Sequence, residues 1–536
     1  MNKPIVLVIL DGWGIAAEGP GNAITQAKIP NFKSYWGSFP HTSLLASGEA
    51  VGLPRKEKGN SETGHLNIGA GRIIYQDLPR ISMAIADGSF FKNHAFVETA
   101  GHVKKYNSSL HLMGLIGHGG VHSSLEHLYA LLRFAKEQDL RSVYLHLFTD
   151  GRDSPPTSSL IYIDQINTEI KKIGLVAQIA TIMGRYYALD RDNRWERTEV
   201  AYRALTERKG KSTQDLKQAI QESYDEGVTD EFIKPIIISE TKGIGKNDAV
   251  VFFNFRIDRP RQLTKAFVIE NFKELVGQKI AFDPYTEKYL KKTYVERRIA
   301  SIFDRGPKIE NLFFTTMTEY EKDLPVKIAF APIQVNLPLG RILSENNLRQ
   351  LRITETEKER FVTYYFNGQR EKPFPGEDRI IVPSPDVPTY DLKPEMSAYK
   401  VTSELVKKLT QRIYDFALVN YPNPDMVGHT GVLKAGIKAC EAVDENLGKL
   451  ISTVKNIGGT ALITADHGNV EEMINLYTGQ VDTEHSNNPV PFIVVGKQFL
   501  GNPVTINSGI LADLAPTILK MLGISIPNEM SGRPLI

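Results

Sequence analysis

Cysteine is almost missing from this 536-residue sequence, since Cys440 is the only one. No disulfide can form within the chain, which excludes a disulfide-stapled scaffold and favours a reducing compartment. An excess of one charge is missing as well: 64 lysine and arginine residues balance 62 aspartate and glutamate residues, for a net charge of +2. A chain this balanced has no global field that would recruit nucleic acid or an acidic membrane surface.

Long hydrophobic runs are also missing. The first apolar run, Ile5 to Leu10, ends in Asp11, and no small-residue cleavage pattern follows it. It is too short to span a membrane and matches a signal peptide poorly. We therefore expect a cytoplasmic protein that binds neither nucleic acid nor membranes.

The sequence does have enough apolar residues for several cores. Its 41% hydrophobic and 24% charged residues are typical of soluble globular proteins, and its length predicts two to four domains. The continuous run Ile5 to Leu10 predicts a buried parallel strand, and strand–helix units repeat from about Ser82 to Val276. The pattern indicates an α/β fold. We expect residues 279–308 to be a surface insertion and residues 361–366 to be a strand.

One serine lies at the head of the glycine-flanked stretch Gly59 to Arg72. Residues that can start a helix follow Ser61, so its hydroxyl is expected near a helix N-terminus. The unpaired N–H groups and the positive dipole end favour an anion there. Taken alone, Ser61 can be a helix cap or a nucleophile held beside a phosphate.

Basic side chains recur in the loops that follow the predicted strands of the middle region. An arginine fork suits carboxylate and phosphate, and loops at one edge of a parallel sheet would form one anion pocket. The candidates for a small ligand with more than one negative group are His122, Arg152, Arg185, Arg191, Arg256 and Arg259. Asp153 among them is a candidate general base or a salt-bridge partner. Lys358 either reaches a phosphate or is a solvated turn residue.

Aspartate and histidine mark three strand ends in the second half of the sequence. Of the 12 histidines, three lie in that half, and each is in one of these loops. The mixed set, enough for two adjacent divalent ions with Ser61 shared, is Asp11, Asp425, His429, Asp466, His467 and His485. Two such ions can clamp an in-line phosphoryl transfer and activate a serine. Imidazole with carboxylate suits Mn²⁺, Zn²⁺ or Fe²⁺ better than Mg²⁺, and composition does not choose among them.

With these motifs in view, the sequence resembles the alkaline phosphatase superfamily in its Ser61 stretch, in Thr464 to Asn469 and in the His485 loop. The resemblance runs nearly end to end and narrows to the cofactor-independent (2,3-bisphosphoglycerate-independent) phosphoglycerate mutases. The motifs that carry it are Leu10 to Gly14, Gly59 to Arg72, Thr149 to Pro156, Asn254 to Arg256, Asp391 to Ser397 and Asp425 to His429. Two departures are Ser124, where a second histidine is expected, and Thr63, where valine is usual.

The resemblance implies an isomerase of glycolysis and gluconeogenesis that interconverts 3-phosphoglycerate and 2-phosphoglycerate through a phosphoserine on Ser61, without 2,3-bisphosphoglycerate. It implies two α/β domains, an alkaline-phosphatase-like metal domain (1–77 and 310–536) interrupted by an inserted transferase domain (78–309). We expect a monomer. The alternatives are a metal-dependent phosphomonoesterase or another phosphomutase, and, in another class, a silent sensor of phosphate metabolites.

The resemblance also assigns roles to the candidate residues. One metal, with Mn²⁺ the expected ion at both sites, would be held by Asp11, Ser61, Asp466 and His467. The other would be held by Asp425, His429 and His485. Substrate contacts would come from His122, Arg152, Asp153, Arg185, Arg191, Arg256, Arg259 and Lys358, with Asp153 as the base.

Overall fold

The protein is described by a computed structural model that covers residues 3–278, 299, 301–475, 478–501 and 506–536. The chain divides into two compact units. Unit 1 contains Met1–Gln76 and Ile333–Ile536, and unit 2 contains Asp77–Pro332. Among the described residues, no helix is both long enough and apolar enough to cross a membrane.

The strands of the described chain are listed here in sequence order: β1 (Ile5–Leu10), β2 (His41–Leu45), β3 (Leu110–Ile116), β4 (Val143–Thr149), β5 (Ala177–Gly184), β6 (Lys211–Thr213), β7 (Ile236–Ile238), β8 (Ala249–Phe252), β9 (Phe313–Thr318), β10 (Lys327–Phe330), β11 (Gln350–Glu355), β12 (Glu377–Val382), β13 (Phe416–Tyr421), β14 (Thr460–Thr464), β15 (Val490–Val495) and β16 (Gly509–Ile510).

The helices are α1 (Ala23–Gln26), α2 (Pro30–Ser38), α3 (Ser61–Ala70), α4 (Asp77–Ala86), α5 (His94–Tyr106), α6 (Leu125–Glu137), α7 (Ser159–Ile173), α8 (Arg185–Ala188), α9 (Trp195–Thr206), α10 (Leu216–Asp225), α11 (Pro260–Val268), α12 (Leu339–Glu345), α13 (Ala398–Leu409), α14 (Asn423–Gly428), α15 (Leu433–Asn456) and α16 (Leu514–Met521).

Unit 1 is built on an eight-stranded sheet in the order β12-β11-β13-β1-β14-β15-β2-β16. β1 lies in the middle, parallel to β13 and β14, and all six of its residues are buried. This explains the continuous apolar run, because a parallel strand covered on both faces has no solvent side. β15 runs antiparallel to β14 and to β2.

Unit 2 is built on a second eight-stranded sheet in the order β10-β9-β8-β3-β4-β5-β7-β6. Its pairs are parallel except β5 with β7. Side chains alternate between two cores: Leu110 and Leu112 of β3 belong to one, and Met113 and Leu115 belong to the other. The chain is therefore an α/β protein with two mixed sheets, as the sequence indicated.

The division of the chain differs from the expected domains at one boundary. The first falls after Gln76, one residue from the expected 77/78, but the second falls after Pro332 and not after residue 309. The second boundary of the compact units differs from the expected one because β9 pairs with β8, and β10 pairs with β9, so both strands complete the sheet of unit 2.

Two local expectations concern residues 361–366 and 279–308. Residues 361–366 form no strand: Phe361–Tyr365 is a π-helical turn, and Gly69 of α3 packs so closely on the Phe366 carbonyl that a Cβ there would lie 2.0 Å from it. Most of the expected surface insertion 279–308 lies outside the described residues. At its described end, residues 301–308, Phe303 and Arg305 are buried and four other residues are exposed, so the segment lies at the surface with two side chains anchored in the core.

Candidate active site

The parallel strands of unit 1 bring three acidic loops to one edge of its sheet. β13, β1 and β14 are adjacent, and the aspartates that follow their ends, Asp425, Asp11 and Asp466, are all buried. Gly12 has a φ of +74°, and a Cβ on it would lie 2.8 Å from the Cα of Asp425. Glycine therefore suits both the backbone conformation and the close approach of two of these loops.

Ser61 is the first residue of α3 and is not its N-cap. Asn60 is the N-cap, and its Oδ1 accepts the Thr63 N–H at 2.9 Å. The cap interpretation of Ser61 is wrong because the neighbouring amide already occupies that position. The Ser61 hydroxyl is instead directed to a buried group of charged side chains at the same helix N-terminus.

Lys358 lies among these charged side chains. Its Nζ donates to Asp11 Oδ1 at 2.7 Å, to Asp425 Oδ2 at 2.7 Å and to Ser61 Oγ at 2.6 Å. We expected Lys358 to contact a substrate phosphate, and the structure places it in unit 1 beside the candidate nucleophile. Burial acts to lower the pKa of Lys358, but the charges of Asp11 and Asp425 outweigh burial and raise it. The ammonium group is therefore charged at neutral pH.

Three histidines around this cluster share one orientation. In each, Nδ1 faces a backbone carbonyl, which can only accept, so we assign the hydrogen to Nδ1 and a lone pair to Nε2. His429 Nδ1 lies 2.8 Å from the carbonyl oxygen of Thr483. His467 Nδ1 lies 3.3 Å from that of Gly468, and His485 Nδ1 lies 2.7 Å from that of Gly59.

The bare nitrogens of two of these histidines meet beside Asp425. His429 Nε2 lies 3.2 Å from His485 Nε2, and each lies 3.3 Å from Asp425 Oδ1. Two lone pairs and an anionic oxygen at these distances repel one another unless a cation lies among them. The donor set fits a divalent transition metal.

A second group of possible ligands contains Asp11, Asp466 and His467, whose ligand atoms all lie within 4.8 Å of one another. His467 Nε2 lies 2.9 Å from Ser61 Oγ and 3.5 Å from Asp466 Oδ2. Asp466 Oδ2 is buried and has no hydrogen-bond partner within the described part of the chain. A buried orphan oxygen beside a bare imidazole nitrogen also fits a cation.

Burial and neighbouring charges shift the pKa values of the side chains in this cluster. Burial raises the pKa of Asp11 to about 7. Burial also acts to raise the pKa of Asp425, but Lys358 holds it well below its usual range. Burial lowers the pKa values of His467 and His485. Both imidazoles are therefore neutral near pH 7, with lone pairs available to a metal.

Unit 2 holds the basic candidates, with Arg185 at their centre. Arg185 directly follows β5 and is only 2% exposed. Its Nη1 donates to Asp150 Oδ1 at 2.5 Å and to Asp153 Oδ2 at 2.6 Å, and its Nη2 donates to His122 Nε2 at 3.0 Å. Because β3, β4 and β5 are parallel, these four residues lie at one edge of the sheet.

Asp258 connects two further arginines to this group. It accepts from Arg191 Nη1 at 2.8 Å and from Arg256 Nε at 3.1 Å, and it lies 3.6 Å from His122 Nδ1. The structure thus brings five of the seven predicted residues of unit 2 into one network: His122, Asp153, Arg185, Arg191 and Arg256. Asp258 itself was not predicted, although it lies two residues after Arg256.

The two remaining predicted arginines make other contacts. Arg259 donates to the carbonyl of Leu189 at 3.0 Å, and Arg152, which is half exposed, lies 3.7 Å from Glu231. Burial, with the charge of Arg185 nearby, lowers the pKa of Arg259 to about 10. Arg259 therefore keeps its charge at neutral pH.

Arginine charge also affects the protonation states of His122 and Asp153. Burial, then the charge of Arg185, lowers the pKa of His122 to about 2, so this imidazole is neutral at working pH. Burial acts to raise the pKa of Asp153, but its hydrogen bond from Arg185 outweighs burial and lowers it. Asp153 is therefore an ionised acceptor.

The two residues that depart from the expected motifs, Ser124 and Thr63, each form a local hydrogen bond at the start of a helix. Ser124 is the N-cap of α6, and its hydroxyl oxygen accepts the Glu126 N–H at 3.2 Å. Thr63 donates its hydroxyl to the carbonyl of Asn60 at 3.3 Å. Both substitutions add a local hydrogen bond at the start of a helix.

Three residues of the unit 1 site were missed from the sequence. Asn469 donates to Asp425 Oδ1 at 3.0 Å, and its place in the Thr464–Asn469 motif could have revealed it. His65 and Asn420 are both fully buried beside the aspartates. The signal for His65 is its spacing of four residues from Ser61, which puts both on one face of α3.

Comparisons with known proteins agree with this architecture. A family profile described as the BPG-independent PGAM N-terminus matches residues 81–322. A 2,3-bisphosphoglycerate-independent phosphoglycerate mutase of Chloroflexus aggregans is 49% identical over 541 residues, 100% of this chain and 98% of the relative. One from Clostridium beijerinckii is 48% identical, over 100% of this chain and 99% of the relative. A crystal structure of the Leishmania mexicana phosphoglycerate mutase is 30% identical, with a TM-score of 0.57 over 99% of this chain and 97% of that one.

Two α/β units and an interrupted first unit define the class of fold, and the full-length relatives define the family. The chain belongs to the 2,3-bisphosphoglycerate-independent phosphoglycerate mutases. It is an isomerase of glycolysis that interconverts 3-phosphoglycerate and 2-phosphoglycerate, and both the family and the activity expected from the sequence are confirmed.

Proposed function

We propose that the isomerisation proceeds through a phosphoserine on Ser61. The observation that carries the proposal is the hydroxyl's position, 2.6 Å from Lys358 Nζ and 2.9 Å from His467 Nε2. A charged ammonium group beside the oxygen favours its anionic form. The start of α3 adds backbone N–H groups that suit a bound phosphate.

Two divalent ions complete this half of the chemistry, and we propose Mn²⁺ for both. Asp11, Ser61, Asp466 and His467 would hold one, and Asp425, His429 and His485 the other. When bound, the ions would lower the pKa of the serine hydroxyl and neutralise charge on the transferring phosphoryl group. The mixed nitrogen and oxygen donors support a transition metal over Mg²⁺, and the structure of the Leishmania mexicana relative was determined at low cobalt concentration.

The network of unit 2 would bind the substrate's anionic groups. Arg152, Arg185, Arg191, Arg256 and Arg259 supply fixed positive charge, and neutral His122 supplies a hydrogen bond. Arg185 now pairs with Asp150 and Asp153. A substrate carboxylate that accepts a hydrogen bond from Arg185 would weaken the pairing of Arg185 with Asp153. This would raise the pKa of Asp153 and make it a better base.

The proposed steps balance as follows. Ser61 Oγ, as the anion held beside Lys358, forms a bond to phosphorus, and the bond from phosphorus to the substrate oxygen breaks. That oxygen takes the proton from Asp153, which is protonated once the bound substrate has raised its pKa, and glycerate remains bound as an alcohol. Glycerate then turns so that its other hydroxyl attacks the phosphoserine. Asp153 accepts the proton of that hydroxyl as the Ser61–phosphorus bond breaks. Lys358 stays charged in both steps and stabilises negative charge on Ser61 Oγ.

Rapid acid quench with ³²P-labelled 3-phosphoglycerate tests the intermediate. Label should appear on the peptide that contains Ser61 and should vanish when unlabelled substrate follows. Ser61→Ala should lower kcat by at least about 10⁴-fold without changing the unfolding midpoint. Ser47→Ala is the matched control, since Ser47 lies outside the cluster. Labelling of a different residue, or appreciable mutase activity in Ser61→Ala, would sink the phosphoserine route.

A single assay of products separates the mutase from a phosphomonoesterase. With Mn²⁺ and 3-phosphoglycerate, 2-phosphoglycerate should form and free phosphate should stay at background. A monomer in the cytoplasm stays a prediction, and light scattering on the purified chain tests the oligomeric state.

A further inference from the structure

Among the buried polar groups of unit 1, His65 and Asn420 have no part in the proposed chemistry, yet their side chains lie beside the two aspartates of one proposed metal site. Asn420 Nδ2 donates to Asp11 Oδ2 at 2.7 Å and lies 3.1 Å from His65 Nε2. His65 Nδ1 lies 2.9 Å from the carbonyl of Ser61 and 3.3 Å from Asp466 Oδ2. The hydrogen-bonded connection thus runs from Asp11 through Asn420 and His65 to the Ser61 carbonyl, and the His65 ring lies beside Asp466 without hydrogen-bonding to its Oδ2.

The donor and acceptor of each hydrogen bond in this connection follow from the acceptors at its two ends, Asp11 Oδ2 and the Ser61 carbonyl. Asp11 Oδ2 is an acceptor, so the Asn420 atom facing it is the amide nitrogen, and its second hydrogen points to His65 Nε2. The Ser61 carbonyl is also only an acceptor, so His65 Nδ1 carries the ring hydrogen. A hydrogen on His65 Nε2 would face the Asn420 donor. The chain of donors therefore has one consistent arrangement.

The connection acts on the oxygens that would otherwise be free to turn. Asp11 uses Oδ1 for Lys358, which leaves Oδ2 to Asn420. All of these groups are fully buried, so no solvent replaces a lost contact and a carboxylate without its partner would rotate. Groups that orient the ligands of a metal affect its affinity by about 10- to 100-fold.

We infer that His65 and Asn420 are positioning residues that orient Asp11 for the metal proposed to share Ser61. Since this rests on the proposed metal function, it concerns only that site. His429 and His485 are positioned by backbone carbonyls of Thr483 and Gly59 and do not depend on this pair.

The test is a calorimetric titration of Mn²⁺ into the metal-stripped full-length chain. The wild type should show two binding events. His65→Asn keeps a polar atom near Nδ1 but loses the acceptor for Asn420. It should weaken one binding event at least about tenfold and leave the affinity of the other within twofold. His65→Gln places an amide oxygen near Nε2, keeps that acceptor and should weaken the same event no more than about threefold.

Asn420 provides the second arm. Asn420→Ala should also weaken one event about tenfold, and the double variant His65→Asn/Asn420→Ala should be no more than about threefold weaker than Asn420→Ala, because both act through one chain. His41→Gln is the matched control in unit 1, and it should leave both events unchanged. The His41 Nδ1 lies 2.9 Å from the carbonyl of Phe39, and the ring packs on Trp36, with 4.3 Å between ring centroids.

The outcomes separate the two levels of inference. A wild type without two Mn²⁺ events overturns the proposed metal sites and the positioning role together. A wild type with two events and variants that bind like it overturns the positioning role alone. Equal weakening of both events, or no rescue by glutamine relative to asparagine, means that His65 only supports the core and also overturns it.

Discussion

Both units bury a hydrogen-bonded chain of side chains that includes histidine, and the two chains lie at different places along their strands. In unit 1, His65 connects through Asn420 to Asp11. In unit 2, His111 Nε2 lies 3.2 Å from Asp248 Oδ2, His111 Nδ1 lies 2.9 Å from His146 Nε2, and His146 Nδ1 lies 2.9 Å from Thr181 Oγ1. The second chain thus crosses β3, β4 and β5 from a residue just before β8.

The position of each chain along its strands decides what the chain can do. The chain of unit 1 ends on Asp11 at the carboxyl edge of the sheet, where the candidate nucleophile lies. In unit 2, β3 ends five residues after His111, which is about 16 Å at 3.3 Å per residue. The arginine network begins beyond that end. Buried histidine is therefore not itself a sign of a site, and we expect the unit 2 chain to serve stability alone.

The largest effect expected within this comparison tests the strand-end region of unit 2 against its histidine chain. Arg185→Met removes a buried fork and leaves Asp150 and Asp153 without their shared partner. We expect kcat/KM for 3-phosphoglycerate to fall about 100-fold. Mn²⁺ binding to the metal-stripped protein should not change, because the proposed ligands are in unit 1. A fall of less than threefold would remove Arg185 from the proposed substrate site.

The second expected effect is on stability. His146→Leu leaves His111 Nδ1 without a donor and the Thr181 hydroxyl without an acceptor in a fully buried position. Unpaired buried polar groups cost about 1–3 kcal/mol each, so the free energy of unfolding of unit 2 should fall by about 3 kcal/mol. kcat/KM below the unfolding transition should stay within twofold. A tenfold loss of activity in a fully folded variant would contradict the comparison.

Tryptophan gives a reporter for each unit. Trp195 is buried in unit 2, while Trp13 and Trp36 belong to unit 1. In a Trp13→Phe/Trp36→Phe background, urea unfolding followed by fluorescence reports unit 2. The exposed His94→Leu is the control for His146→Leu and should leave the midpoint unchanged.

The stability of unit 2 in acid tests the comparison further, again through His146. Burial lowers the pKa of His146 well below 6.5, so between the two values the unfolded chain binds a proton that the folded chain does not. The folded state therefore loses stability as the pH falls below about 6.5, by up to about 1.4 kcal/mol per pH unit for one proton. The slope measured with the Trp195 reporter should be about one proton smaller in His146→Leu. Equal slopes would mean that His146 is protonated in the folded unit.

The sequence predicted best what lies at strand ends. Asp11, Asp425 and Asp466 follow continuous apolar runs, and parallel strands must bring such ends together. His485 was found for a different reason, because histidine is so sparse in that half of the chain. Asp153 and Arg185 were found as members of loops, although their direct pairing could not be read from spacing.

What the sequence did not reveal depends on contacts between distant segments. Asn420 is an interior strand residue whose only signal is polarity within an apolar run, and its partners lie hundreds of residues away. The second boundary of the compact units was hidden because the residues of β9 read as a strand that either sheet could accept. The Asn60 cap was hidden because Asn60 and Ser61 are both good caps, and side-chain geometry alone separates them.

The smallest expected effect is a stability change in unit 1 with the opposite dependence on pH. Glu355, the last residue of β11, is fully buried and accepts the Ser397 N–H at 2.9 Å. Burial raises its pKa from 4.5 to about 7. The folded state therefore holds this proton more tightly than the unfolded state, so its stabilising contribution is complete below about pH 4.5 and is lost as the pH rises through 7.

Glu355→Gln copies the protonated form and should break this dependence. At pH 8 the free energy of unfolding of unit 1, followed through Trp13 and Trp36 in a Trp195→Phe background with chelator present, should rise by about 1 kcal/mol. The gain should shrink towards zero at pH 5, where the wild-type carboxyl is protonated when folded. Glu359→Gln is the control on an exposed glutamate nearby and should change neither value. A gain that is equal at both pH values would show that Glu355 is ionised in the folded unit. Glu355 would then not set unit 1 apart from the acid-sensitive histidine chain of unit 2.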